Sequence, residues 1–116
     1  MDIEAIGKVR TLGPKESALE IDPAFEDGLH GISAGDRLQV LYWMHELDAD
    51  ARKILKVHPR GDATRPLKGV FGVRSPMRPN PIGVSSVCVT RIESNCIVVT
   101  GLDAHDGSPV IDVKSG

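Results

Sequence analysis

Apolar and polar residues alternate with a period of two along nearly the whole chain, and no stretch repeats at helical spacing for ten residues. RLQVLYWMH (37–45), IGVSSVCVTRI (82–92), NCIVVTGL (95–102) and PVIDV (109–113) are the clearest runs. ALEID (18–22), ILKVH (54–58), GVFGV (69–73) and the start at Ile3, Ala5 and Gly7 extend the pattern. β-Branched enrichment with Gly and Pro between runs predicts seven or eight short strands. PAFEDGL (23–29) and LDADAR (47–52) predict helical turns only, too short for the crossover helix of a parallel βαβ unit. The fold class is therefore mostly β and antiparallel, a barrel or sandwich with short helical turns that hides its edges by closure. With 116 residues the chain is one domain, 1–116.

Composition narrows the function classes. No apolar run approaches a membrane span, and MDIEAIGKVR lacks the apolar core of a secretory signal. A cytoplasmic protein is expected. Cys88 and Cys96 flank a predicted hairpin turn at Ser94-Asn95, which sets Cys88 opposite Thr100 or Gly101 and keeps the thiols apart and reduced. His30, His45, His58 and His105 have no metal-ligand spacing, so no metal is expected. Trp43, Tyr42, Phe25 and Phe71 are the only aromatics, few for a module that stacks bases on aromatic platforms.

Charge is segregated. Residues 1–51 hold eleven acids and four bases, whereas residues 52–78 hold eight bases and the single acid Asp62. The middle segment is either an anion-facing surface or a loop whose bases pair with acids of the first half.

That segment runs into the most informative stretch, GVFGVRSPMRPNPIGVS (69–85). A strand over Gly69–Val73, a rigid loop over 74–81 and a new strand from Ile82 are predicted. Each residue before a proline is pushed toward extended backbone, so Ser75, Arg78 and Asn80 are restricted. A loop this stiff has little entropy left to lose on binding. Arg74 and Arg78 offer planar donor forks for carboxylate or phosphate, and Asn80 offers the donor and acceptor that read an adenine edge. The plainer alternative is a stiff connector between strands. In GLDAHDGSPVIDV (101–113), Asp106-Gly107 predicts a hairpin turn. Asp103, Asp106 and Asp112 either accept hydrogen bonds from ribose hydroxyls or an amino group, or offset the arginines.

The pairing of RSPMRPNPIG (74–83) with GLDAHDGSPVIDVK (101–114) resembles the TsaA-like, or TrmO, family, whose pattern runs near TRSPxRPNPIG and then DxLDGTPVLDIKPY. AIGKVR (5–10), LYWMH (41–45) and KVHPRGD (56–62) before LKGVF (67–71) resemble further family segments in the same order. The resemblance implies a single-sheet β-barrel that binds S-adenosylmethionine near a homodimer interface. It implies methylation of N6 of threonylcarbamoyl-modified adenosine at position 37 of tRNA, in the anticodon loop.

By this resemblance the cofactor loop comprises Arg74, Ser75, Pro76, Arg78, Pro79, Asn80, Pro81, Ile82 and Gly83. The second motif comprises Leu102, Asp103, Ala104, Asp106, Gly107, Ser108 and Pro109, with Asp112 and Lys114 beyond. Asn80 and Asp103 are the expected catalytic pair, orienting the target amine, and His45 joins the cofactor set unless it is only structural. His105 stands where the family usually has Leu, and Ser108 where it has Thr. The chain ends in VKSG, where relatives continue through KPY, and many bacterial members add a C-terminal domain that helps hold tRNA. A methyltransferase for another substrate, or a non-catalytic module that binds S-adenosylmethionine, are the competing readings.

Overall fold

A computed structural model describes residues 1–116. Six antiparallel strands close into one ring: β1 (Gly7–Thr11), β2 (Glu16–Ile21), β7 (Cys96–Thr100), β6 (Ile82–Glu93), β3 (Arg37–Trp43) and β8 (Pro109–Ser115), in that order around the barrel. The closing seam between β1 and β8 is short, with only Gly7 opposite Val110 and Lys8 opposite Pro109. Alternation explains the inward face. Leu38, Val40 and Tyr42 of β3 are buried, and their neighbours Gln39 and Leu41 are less so. They meet Val9, Leu19, Ile21, Val87, Val89, Ile97, Val99 and Val110 in one core. On the opposite face of the sheet, Ala18 and Val98 face each other across β2 and β7 and are also buried.

The hairpin at Ser94-Asn95 forms as expected. Ser94 adopts a φ of 56°, Cys88 lies opposite Thr100, and both cysteines are free thiols. The helical turns are 3₁₀: Pro23–Leu29, whose first turn is capped by the Asp22 carboxylate accepting from the Ala24 N–H, and Ala51–Lys53. No helix is long and apolar enough to cross a membrane.

Four local expectations are corrected. ILKVH and GVFGV do not join the ring. Only β4 (Lys56–Val57) and β5 (Lys68–Gly69) pair, as a two-stranded ribbon outside it, so the barrel sheet is accompanied by a second, smaller one. Beyond Gly69 the chain turns as 3₁₀ over Val70–Gly72 rather than continuing as a strand. Between residues 52 and 78 only Val70 is buried, so there is no second apolar face to hold longer strands against the core. The first strand begins at Gly7, leaving Ile3 and Ala5 exposed before it. Asp106-Gly107 does turn, with Gly107 at φ 82°, yet it joins β7 to β8, which are not neighbours. It is a crossing of the barrel end and not a hairpin.

Candidate functional site

The end of the barrel where β3 finishes and β8 begins is where the two motif loops meet. The proline-rich loop is tied down by its own backbone oxygens. Arg78 donates through Nη1 to the carbonyls of Val73 (3.3 Å) and Ser75 (3.0 Å), and through Nη2 to that of Val70 (2.9 Å). A planar fork suits this three-way clamp, which a single ammonium would not reproduce. The Met77 N–H donates to the Ser75 Oγ (3.1 Å), tightening the turn ahead of Arg78. The loop is then fastened to β3. The Met44 N–H donates to the Pro81 carbonyl at 2.8 Å, and Arg52 Nε to the Pro79 carbonyl at 2.8 Å. The Arg52 guanidinium sits 5.3 Å from the centre of the Trp43 ring, a cation–π contact that fixes it there.

Gly83 and Tyr42 face each other across β6 and β3. A methyl group on Gly83 would lie 2.5 Å from the Tyr42 Cζ, so only glycine lets the phenol ring lie across this strand. The ring forms part of the wall of a 330 Å³ cavity, at the small end of the roughly 300–1,000 Å³ usual for small-molecule sites. Met44, Leu47 and Pro76 supply further apolar or flat wall, and His45, Glu46, Arg74, Asp103, His105 and Ser108 supply the polar part.

The cavity therefore brings together five residues expected from sequence: His45, Arg74, Pro76, Asp103 and Ser108. Arg74 is exposed with no carboxylate within 4.0 Å, and the Asp103 carboxylate has no partner. The Asp103 N–H donates to the buried Ser85 Oγ (3.2 Å), which fixes the backbone there. Ser75, Arg78, Pro79, Pro81 and Ile82 build and anchor the loop and are not among the cavity walls. Leu102 and Ala104 pack against the core beside Asp103. Asp106 points away to accept the Thr11 N–H at 2.8 Å. Asn80 is exposed, its amide free of protein hydrogen bonds, and its carbonyl accepts the Ile82 N–H. Asp112 and Lys114 pair with each other at 3.3 Å at the other end of the barrel, beside a 760 Å³ cavity that shares no residue with the first.

Of the polar wall residues, Glu46 and His105 were not expected as site residues, and neither were the apolar or aromatic Tyr42, Met44 and Leu47. Glu46 accepts from or pairs with both flanking imidazoles: His105 Nδ1 lies 2.9 Å from Oε2, and His45 Nε2 lies 3.8 Å from Oε1. The only sequence signal was the departure at His105.

The structure also answers the question of the basic segment. Lys53 reaches Asp50 at 3.9 Å and Arg65 reaches Asp62 at 3.6 Å. Arg52 and Arg78 are engaged by carbonyls. Lys56, Arg60, Lys68 and Arg74 have no acidic partner, and Lys53 alone pairs with an acid of the first half, so most of the segment's charge is not neutralised from there. Asp62 stays ionised, its carboxyl held below the ordinary range by the Thr64 hydroxyl and backbone N–H.

A closed antiparallel barrel with a proline-locked loop over a polar cavity at its rim defines a class of small ligand-binding barrels. Within that class, the chain belongs to the tRNA-methyltransferase O N-terminal domain family, which matches residues 8–115. A probable S-adenosyl-L-methionine-binding protein of Methanocaldococcus jannaschii is 50% identical over 99 residues, covering 84% of this chain and 79% of that protein. A probable S-adenosyl-L-methionine-binding protein of Pyrococcus horikoshii is 43% identical over 113 residues, covering 97% and 79%. A crystal structure of TrmO superposes with a TM-score of 0.76 at 26% identity, and the chain spans 57% of its length. The TrmO of Pseudomonas aeruginosa shares the fold, with a TM-score of 0.74 at 23% identity.

Proposed function

We propose that this chain is an S-adenosylmethionine-dependent methyltransferase whose target is N6 of threonylcarbamoyl-modified adenosine at position 37 of tRNA. One observation carries the reading: a guanidinium, Arg74, and a carboxylate, Asp103, face one cavity and neither has an ionic partner. Opposite charges left apart at one site suit a ligand that carries both signs, and the amino-acid end of S-adenosylmethionine carries an ammonium and a carboxylate. Arg74 would hold the carboxylate as a bidentate pair, and Asp103 the ammonium. Tyr42, Met44, Leu47 and Pro76 give the less polar surface against which the remainder would lie.

When bound, the cofactor supplies a methyl group already activated on a sulfonium. What the protein must add is alignment, which accounts for much of the rate when the reacting atoms are held in line. The loop clamped by Arg78 and fastened to β3 provides a fixed wall for this. Asn80, with its amide free, is available to a substrate that extends along the loop and would orient the target amine.

We also propose that a second copy completes the site. The cavity is small for such a ligand, and Leu55, Leu67 and Phe71 stand exposed on and beside the ribbon, Phe71 at 80%. Apolar side chains this bare mark a surface that a partner covers when they gather into one patch. Phe71→Asp is expected to shift sedimentation from dimer to monomer and to weaken cofactor binding with it. An unchanged sedimentation profile would remove the ribbon from the interface.

Lys56, Arg60 and Lys68 remain free to meet RNA phosphates. Affinity for tRNA should then fall steeply with salt, and each Lys or Arg replaced by Ala should lower the log–log slope by about one. A filter-binding series from low to physiological salt measures this; slopes unchanged in the triple variant would place RNA elsewhere. The relatives named for binding S-adenosyl-L-methionine favour a second reading, a module that holds the cofactor without turnover. Transfer of labelled methyl into tRNA separates the two.

A further inference from the structure

We propose that His105 is a proton acceptor for methyl transfer, held in its accepting form by Glu46; the inference rests on the methyltransferase reading above. Transfer to a nitrogen leaves a proton to dispose of. As the N–CH3 bond forms and the S–CH3 bond breaks, the sulfonium becomes a neutral thioether and the nitrogen must lose its N–H proton. The side chains of the cavity wall that carry or take up charge are Arg74, Asp103, His45, Glu46 and His105. Arg74 cannot accept a proton. Asp103 has a charged end of the cofactor to hold.

His105 has the arrangement that an accepting imidazole needs. Its Nδ1 lies 2.9 Å from the Glu46 Oε2, so in the neutral ring Nδ1–H donates to the carboxylate. That leaves the Nε2 lone pair unprotonated and without a protein partner. A carboxylate behind one ring nitrogen fixes the tautomer and stabilises the imidazolium formed when the other nitrogen takes a proton. The backbone is fixed as well, because the Ser108 Oγ and N–H both donate to the His105 carbonyl, at 2.7 and 3.1 Å. From Nε2 the proton passes to water, for which the exposed ring is well placed. His45 Nε2 lies 3.8 Å from the other oxygen of Glu46. Because the family pattern carries Leu at this position, the pair is an addition to the shared pocket. Its loss should slow transfer, not abolish it.

The test uses the full chain, S-adenosylmethionine and unfractionated tRNA carrying threonylcarbamoyladenosine but not its methylated form. His105→Leu should lower kcat at least tenfold with the cofactor Kd unchanged. The wild-type rate should fall on acidification, and the variant should lose that dependence. Glu46→Ala should do the same in weaker form. In the wild type, nitrogen NMR of the ring should show the proton on Nδ1, and in Glu46→Ala a mixture of tautomers. Wild-type transfer matched by His105→Leu in rate and pH profile overturns the proposal and leaves the methyltransferase reading intact. Equal losses of kcat and cofactor affinity also overturn it, by making the ring a binding group. No transfer by the wild type overturns both.

Discussion

Arg74→Ala should weaken S-adenosylmethionine binding by about 10- to 100-fold and leave the melting temperature unchanged. A hydrogen bond to a charged group contributes about 1.5–3 kcal/mol, and each 1.4 kcal/mol is tenfold in affinity. The guanidinium touches no carboxylate of the protein and is exposed on the loop, so nothing in the folded chain depends on it. Arg78→Ala offers the contrast, because it strips the donors from the carbonyls of Val70, Val73 and Ser75 and loosens the loop that carries Arg74. Calorimetric titration beside thermal unfolding separates the two. Full affinity in Arg74→Ala would remove the cofactor's carboxylate from this end of the cavity.

Gly83→Ala should both destabilise the barrel and damage the site. The added methyl would sit 2.5–2.8 Å from three atoms of the Tyr42 side chain. Tyr42 is buried among core residues, so the ring cannot simply swing into solvent. Overpacking of this kind costs about 1–3 kcal/mol, which lowers the melting temperature by several degrees in a domain of this size. The outlet open to the ring is the cavity it lines, so cofactor affinity should fall as well. Tyr42→Phe in the Gly83→Ala background should recover little, because Cζ and Cε2 make the closest contacts. A variant that melts and binds like the wild type would show that β3 and β6 can separate here without cost.

How far the sequence carries depends on where the determinant lies. The barrel strands are legible because their inward residues repeat every second position: Leu38, Val40 and Tyr42 announce β3 without help from any other segment. The ribbon is not, because ILKVH and GVFGV show the same alternation but bury only Val70. Local composition also cannot tell a hairpin from a crossing. Asp106-Gly107 has the residues of a tight hairpin turn, and only the ring order places β7 and β8 apart.

The same distinction runs through the site. The two loops were legible as fixed patterns of Pro, Arg, Asn and Asp. What each side chain does was not. Arg74 and Arg78 present identical forks in the sequence, yet one is spent on three carbonyls of its own loop and the other is free. Asp106 looks equivalent to Asp103 until the Thr11 amide, 95 residues away, claims it. Glu46 and His105 are 59 residues apart and meet only because the end of β3 and the turn before β8 share one rim of the barrel.

The most direct test of the account is transfer of labelled methyl from S-adenosylmethionine into unfractionated tRNA by the purified chain, with the labelled nucleoside identified after digestion. The account predicts label in N6-methylated threonylcarbamoyladenosine, lost in Arg74→Ala and recovered in part at high cofactor concentration. Cofactor binding to the wild type with no label in any nucleoside would contradict it, and would make the chain a barrel that holds S-adenosylmethionine without using it.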